Sequence, residues 1–509
     1  MALDHQRAGR LDQAARIYVE VIESQPDNPD AHNLLGVVQH QRGNHETAVR
    51  LLRKAIALNP RFAQAYSNLG VVLQEQDRLR ESVVCHRSAV ALTPDSPEAN
   101  YNLGIALQKS PEAEEAVTYF RKALSLRPNY PEALRGLGNA FRVGGHLQEA
   151  ADVFRDLTSS EKGEAEDHNI LGILLKELSC VDEAISCYRR AIALNPDNVE
   201  AQHNLGHALL LAGQYEEGWK WYEKRFLSKG YTTRKREFGQ PLWTGEPLDG
   251  KTILLQTEQG FGDSIQFIRF ATTVSEQYDG TIIVECQPKL KSLFSAVRGI
   301  NTVVAEGEKI PDFDVQAPLM SVPYILGTTL QTIPEEIPYI TAENLPKPIQ
   351  IQEKSSFKIG FLWAGSTMNK KGMVRTVEAA HFERLIGFRG TKFYSLQYGD
   401  TAKELRTSEA FNAVEDLSPY LSGFAETAAV LDQLDLIITI DTYLAHLAGA
   451  MGKPTWVLLP YSPDWRWLLD RTDSPWYPSL RLFRQPTAGD WDAVFCDVED
   501  ALRERLGEA

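Results

Sequence analysis

The sequence predicts an all-helical repeat array followed by an α/β part with two parallel sheets. Three observations predict it. Prolines recur at 26, 60, 94 and 128, a step of 34 residues, and again two steps later at 196. From Lys251 the pattern changes to short apolar runs alternating with helical stretches. A connector carrying Pro334, Pro338, Pro346 and Pro348 divides that alternation into two halves.

The array is legible in several registers at once. Leu-Gly pairs keep the step at Leu35-Gly36, Leu69-Gly70, Leu103-Gly104, Leu137-Gly138, Leu171-Gly172 and Leu205-Gly206. Small residues keep it at Ala14, Ala48, Ser82, Ala116, Ala150 and Ala184. Gly and Ala let two helices of a unit approach closely, and Pro closes the unit because it cannot continue a helix interior. One helix pair cannot bury its apolar face alone, so neighbours stack into a superhelix with a concave groove. This pattern resembles the tetratricopeptide repeat. Lys162 stands where a proline is expected, so the fourth full unit should end less sharply. The first unit lacks most of its leading helix, as a truncated start or an atypical cap would. The aromatic stretch at Gly218-Trp219-Lys220-Trp221-Tyr222 should cap the array and dock it on the α/β part.

Before each Leu-Gly stand Leu34, Asn68, Asn102, Gly136, Ile170 and Asn204. An Asn amide donates and accepts, so a row of them can hold an extended peptide backbone. Asn68, Asn102 and Asn204 are therefore candidate acceptor-binding residues; equally, they could bond only neighbouring helices. The row resembles the Asn ladder of the O-GlcNAc transferase family, which binds protein substrates, with Gly136 and Ile170 interrupting it.

Bulk properties bound the function. A chain of 509 residues implies several domains. A net charge of −15 argues against general nucleic-acid or anionic-membrane binding. Cys85, Cys180, Cys187, Cys286 and Cys496 are scattered, which fits a reducing cytosol and no zinc cluster. Residues 1–10 are polar and no apolar run is long enough to span a bilayer, so a cytoplasmic protein is expected.

In the second part, strands are expected at 252–256, 281–286, 301–304 and 313–316, then at 357–363, 392–397, 435–440, 454–459 and 480–484. Helices are expected at 378–386, 424–433 and 442–451. Such alternation predicts parallel sheets with helices on both faces, and ligands bind beyond the carboxyl ends of the strands. Two such halves suggest two Rossmann-like domains facing a cleft, the GT-B plan of many glycosyltransferases. The expected boundaries are 1–228 for the array, 229–345 for the first half and 346–509 for the second.

Four loops follow strands at the expected cleft. Glu258-Gln259-Gly260-Phe261-Gly262-Asp263 follows the first strand. Its glycines would let backbone amides approach a ligand, and Asp263 could be a base or a plain helix cap. Ser366, Thr367, Lys370, Lys371 and Arg375 follow the fifth strand. They form a dense hydroxyl-rich and cationic loop, suited to a departing diphosphate or simply solvated. Gln397 ends the next strand, where it could meet a nucleoside. Asp441, Thr442 and Tyr443 open a helix carrying His446. Such a helix start suits a diphosphate, or holds only a cap and a buried histidine.

The stretch "DTYLAHLAGAMGKPTWVLL" resembles the Asp-Thr-Gly…His…Gly-Lys-Pro stretch of heptosyltransferase-like glycosyltransferases, and "GFGDSIQF" resembles their early Gly-Asp loop. Tyr443 replaces the family's glycine, so donor identity does not carry over. The resemblance implies that Asp263 is the general base of an inverting, metal-independent transfer, with Gln259, Gly260 and Gly262 near the donor and a loop Lys on the diphosphate. Asp312-Phe313-Asp314 and Asp490-Trp491-Asp492 have the form of a metal-binding DxD motif but are placed poorly for one. Trp465 and Trp467 either line the acceptor side or pack a connection.

The expectation is a bacterial-type cytoplasmic glycosyltransferase. It would move a sugar from a nucleotide-sugar donor to a Ser or Thr hydroxyl of a protein held by the repeats, without metal or cofactor. Rivals are a transferase acting on a glycan or lipid-linked sugar, and a non-catalytic scaffold with a decayed transferase domain. The sequence leaves sugar, base, target and oligomeric state open.

Overall fold

Each step of the period becomes a helix pair. The computed structural model describes residues 1–507 apart from 161, 232–235, 237, 259, 344, 353–355, 366–373 and 407–408. Its helices run α1 (Ala2–Arg7), α2 (Leu11–Ser24), α3 (Pro29–Gln41), α4 (His45–Leu58), α5 (Ala63–Glu75), α6 (Leu79–Leu92), α7 (Pro97–Gln108), α8 (Ala116–Leu126), α9 (Pro131–Val143), α10 (Leu147–Ser159), α11 (Ala165–Glu177), α12 (Val181–Leu194), α13 (Val199–Leu211) and α14 (Tyr215–Tyr222). Pro26, Pro60, Pro94, Pro128 and Pro196 all fall between helices. Three helices open on a polar cap, the first two with Pro after it: Asn28, Ser96 and Asn198 accept from the amides of Ala31, Ala99 and Ala201 at 3.0–3.1 Å. Lys162 lacks the proline's constraint. There Asp167, 2% exposed, accepts from the Glu164 amide at 2.9 Å and from Arg135 Nε at 2.8 Å, which orders the turn instead.

The chain divides into two compact units, Met1–Leu175 and Lys176–Ala509. In the first, Phe120 explains a break in the Asn row. Its ring is fully buried, and a Cβ on Gly104 would lie 2.8 Å from it; one on Gly136 would overlap it outright. Gly136 is thus the hole that admits Phe120. Gly136→Asn, which restores the row, should destabilise the unit by about 1–3 kcal/mol through overpacking. The check is the urea midpoint, and trimming Phe120 to Leu in the same chain should recover part of the loss.

In the second unit, α13 and α14 pack with the sheet-bearing part. Trp219 Nε1 donates to Thr328 O at 2.9 Å, and Trp476 Nε1 donates to Tyr215 OH at 3.1 Å. Trp465 lies edge-on to Trp219 at 5.3 Å between centroids. Trp465 and Trp467 are 2% and 0% exposed, so both pack a connection.

The strands are β1 (Thr252–Gln256), β2 (Thr281–Cys286), β3 (Thr302–Ala305), β4 (Val315–Pro318), β5 (Phe357–Leu362), β6 (Thr391–Ser395), β7 (Glu415–Asp416), β8 (Leu436–Ile440), β9 (Thr455–Leu459) and β10 (Leu480–Arg484). They form two sheets, ordered β3-β2-β1-β4 and β10-β9-β8-β5-β6-β7, with every ladder parallel. Central strands β8 and β9 are buried along their whole length, as parallel strands covered on both faces must be. The expected helix at 378–386 is instead a 3₁₀ run, Ala379–Leu385, longer than is usual for that form. Among the helices that flank the strand ends are α15 (Phe261–Phe267), α16 (Arg269–Tyr278), α17 (Phe424–Leu431) and α18 (Tyr443–Ala450); α19 (Trp491–Leu506) is the last described helix.

Both DxD pairs serve the fold. Asp314 Oδ2 accepts from the Thr252 amide at 2.8 Å, at the amino end of β1 and so opposite the loops that leave the carboxyl ends. Asp490 caps α19 through the Ala493 amide at 3.0 Å.

Candidate functional site

Because every ladder is parallel, the loops after β1, β5, β6 and β8 leave the carboxyl edges of their sheets. In the second sheet the neighbours of β5 are β6 on one side and β8 on the other. The crevice between β5 and β8 is the topological switch point where open sheets hold ligands. Arg375 and Asp441 meet there.

After β1 the chain turns through Gly260, whose φ of +89° admits glycine alone without strain. The turn is needed because the Asp263 carboxylate folds back over Gly260, leaving no room for a Cβ. Asp263 sits in the first turn of α15, where Gly260 is the N-cap and no side chain caps. The plain-cap alternative is thereby corrected: the carboxylate turns to Arg466 Nη2, not to the helix amides. Arg466 is 7% exposed and uses its whole fork, with Nη1 on Asp464 Oδ1 at 2.7 Å and Nε on Gln266 Oε1 at 2.6 Å. Asp263 remains 29% exposed. Burial raises its pKa above the ordinary aspartate value, and Arg466 pulls it back only in part.

Gly262 serves helix packing. A Cβ there would lie 2.9 Å from His446 Cδ2 and 3.5 Å from Tyr443 Cα, so the first turns of α15 and α18 meet at this glycine. Thr442 caps α18 through the Leu444 amide at 3.3 Å. Asp441 does not share the cap. It is 6% exposed and accepts from Arg375 Nη1 at 3.1 Å. Burial raises its pKa, with Arg375 opposing. His446 lies within the packing: its ring stacks on Trp467 at 5.4 Å, and Nδ1 is 3.0 Å from Tyr477 OH. Burial, then Arg466, holds its pKa well below the usual value, which favours the neutral imidazole.

Tyr443 is packed by protein rings, edge-on to Phe424 at 5.0 Å and tilted to Tyr398 at 6.2 Å. Gln397 is 2% exposed and its amide is fully engaged. Oε1 accepts from the amides of Trp363 and Ala364 at 3.2 and 2.9 Å, and Nε2 donates to Thr401 Oγ1 at 2.8 Å. It ties the end of β6 to the loop after β5 and presents no free group to a nucleoside, which corrects its expected role. Gln259, Ser366, Thr367, Lys370 and Lys371 lie outside the described residues. Among those described, the buried Gln266 Nε2 and Arg375 Nε have no hydrogen-bond partner.

Asn68 bonds its neighbours: Nδ2 donates to Asn33 Oδ1 at 2.9 Å, and Oδ1 accepts from Gln64 Nε2 at 3.0 Å. Asn102 is half-buried on α7, and Asn204 is half-buried on α13 in the second unit.

Sequence reasoning missed Arg466, the partner of Asp263, and Asp464 and Gln266, which hold Arg466. A single arginine between Trp465 and Trp467 was the available signal. It also missed Glu258, which is 5% exposed and accepts from Arg225 Nε at 2.8 Å, Arg225 Nη2 at 2.7 Å and Tyr231 OH at 3.0 Å. No helix among the described residues is long and apolar enough to cross a membrane.

Comparisons with known proteins bear on the first part. Tetratricopeptide-repeat models match residues 1–61, 62–93, 85–131 and 101–164, and a TPR-repeat model matches 175–213. Protein FlbA of Caulobacter vibrioides is 27% identical over 326 residues, covering 58% of this chain and 54% of FlbA. The chain thus spans about half the length of that relative. The stretch aligned is longer than α1 to α14 and so reaches into the sheet-bearing part. Among solved structures, the type IV pilus biogenesis factor PilW is 24% identical with a TM-score of 0.38, over 40% of this chain and 94% of its own. YrrB, a TPR protein described as having an unusual peptide-binding site, is 23% identical with a TM-score of 0.34, over 37% and 97%. The N-terminal part of the chain is an array of tetratricopeptide repeats, a scaffold for binding proteins.

Proposed function

We propose that the chain is a glycosyltransferase that moves a sugar from a nucleotide-sugar donor to a Ser or Thr hydroxyl of a protein held by its repeats. The observation that carries this reading is the meeting of α15 and α18 at Gly262. It sets a part-exposed carboxylate with a raised pKa beside a capped helix start at the carboxyl edges of two parallel sheets. Asp263 takes the proton of the attacking hydroxyl. The acceptor oxygen bonds the anomeric carbon, the bond from that carbon to the diphosphate breaks, and its electron pair leaves with the diphosphate. The guanidinium of Arg375, held beside the start of α18 by Asp441, suits that developing anion. Arg466, pinned by Asp464 and Gln266, holds the base in place. Lys370 and Lys371, which follow β5 in sequence, would add charge.

The test is calorimetric titration of the purified chain with UDP, GDP, CMP and their sugar conjugates, beside Lys370→Ala and Asp263→Asn. One nucleotide should bind, more weakly by about tenfold in Lys370→Ala and unchanged in Asp263→Asn. Binding of none of them would remove the donor site and leave a protein-binding scaffold.

A further inference from the structure

A large cavity of the second unit takes no part in the chemistry proposed for Asp263. It has a volume of about 1470 Å³ and lies over the carboxyl ends of the first sheet. Glu258 follows β1, Glu285 ends in β2 and Glu306 follows β3, so three adjacent strands each deliver a carboxylate to its floor. Glu223 adds a fourth from the 3₁₀ turn after α14. Among the described lining residues Arg236 is the one cation. Glu258 and Glu223 are neutralised from behind the wall by Arg225, which is 3% exposed. Glu306 is exposed and makes no ion pair among the described residues. The walls carry rings, and Phe261 and Tyr324 are 36% and 45% exposed.

Arg236 shows what this lining can hold. Its guanidinium reaches the carboxylate of Glu285 and lies 5.8 Å from the Phe238 ring centroid. Glu285 is 3% exposed while Arg236 is 41% exposed. A surface arginine of the chain itself is therefore seated on a buried carboxylate beside an aromatic ring. That is the geometry by which proteins bind guanidinium and ammonium groups. The cavity exceeds the roughly 300–1,000 Å³ of small-molecule sites, so one side chain does not fill it. Gly260 and Phe261 line its edge, two and three residues from Asp263.

We propose that this cavity takes an arginine- or lysine-bearing segment of the acceptor protein, whose cation pairs with Glu285 and Glu306 and displaces Arg236. The identification of the segment as acceptor rests on the transferase reading; the binding itself does not. Acidic segments are excluded by the same carboxylates, whose field a low-dielectric cleft concentrates.

The experiment uses the full chain without nucleotide and three labelled peptides. All are Gly/Ser/Thr dodecamers, with arginine, citrulline or glutamate at the centre. Citrulline keeps the shape and loses the charge. Fluorescence anisotropy should rank arginine tighter than citrulline by about tenfold, with no binding of the glutamate peptide. Glu306→Gln, an exposed change that leaves the fold alone, should weaken the arginine peptide about fivefold and spare the citrulline one. Arg236→Gln should tighten it, and the peptide should raise the melting temperature of that variant more than that of the parent chain. Equal binding of arginine and citrulline peptides, or no binding to either the parent chain or Arg236→Gln, overturns the proposal. Because no nucleotide is present, a failed nucleotide titration leaves this result standing, and the converse also holds.

Discussion

Asp263→Asn is expected to lower kcat for sugar transfer by roughly 10²–10⁴-fold, the range a positioned general base supplies. Nucleotide affinity should stay within about threefold, since the amide keeps the shape and adds no bulk. Arg466 retains Asp464 and Gln266, so the variant should fold. The pH profile gives an independent check. Burial raises the Asp263 pKa, so the acid limb of kcat should lie above the ordinary aspartate range. Arg466 stabilises the ionised form, so Arg466→Gln should move that limb to still higher pH. A profile with no acid limb above the usual carboxylate range would argue against Asp263 as the base.

The largest loss of stability should come from Arg225→Met. Arg225 and Glu258 are 3% and 4% exposed at their side chains, and the pair is joined by two hydrogen bonds. Removing the guanidinium leaves a buried carboxylate without its cation, which costs about 3–5 kcal/mol. Ser321 and Glu223, which also bond Arg225, lose a partner in the same step. The melting temperature of the second unit should fall by on the order of 10 °C. Arg225→Met combined with Glu258→Gln should recover a large part of this, because the uncompensated charge is gone. If the double variant is no more stable than the single one, the loss comes from packing and not from charge.

How much of the fold and site was legible depends on the range of each signal. The repeat and most strands are written locally. A period of helix pairs marks itself in every unit, and β2 and β10 fall on the expected residues because their apolar runs end abruptly. β7 was missed because two residues carry no period. The positions of Asp263, Asp441 and Thr442 were legible because each follows a strand. The site's wiring was not. Arg466 is 203 positions from Asp263, and no local pattern links them. Gln397 misled for the same reason: a polar residue after a strand reads as a ligand contact until its partners in the loop after the neighbouring strand are seen.

Placing α12 to α14 in the second unit has an evolutionary corollary. Recombination between related genes can exchange helices N-terminal to Lys176 without uncovering Tyr215, Trp219 or Trp476. An exchange at the end of α14 would strip that aromatic cover from the sheet-bearing part. Lineages should therefore diversify their first repeats freely, for new partners, while inheriting the last ones together with the sheet-bearing part.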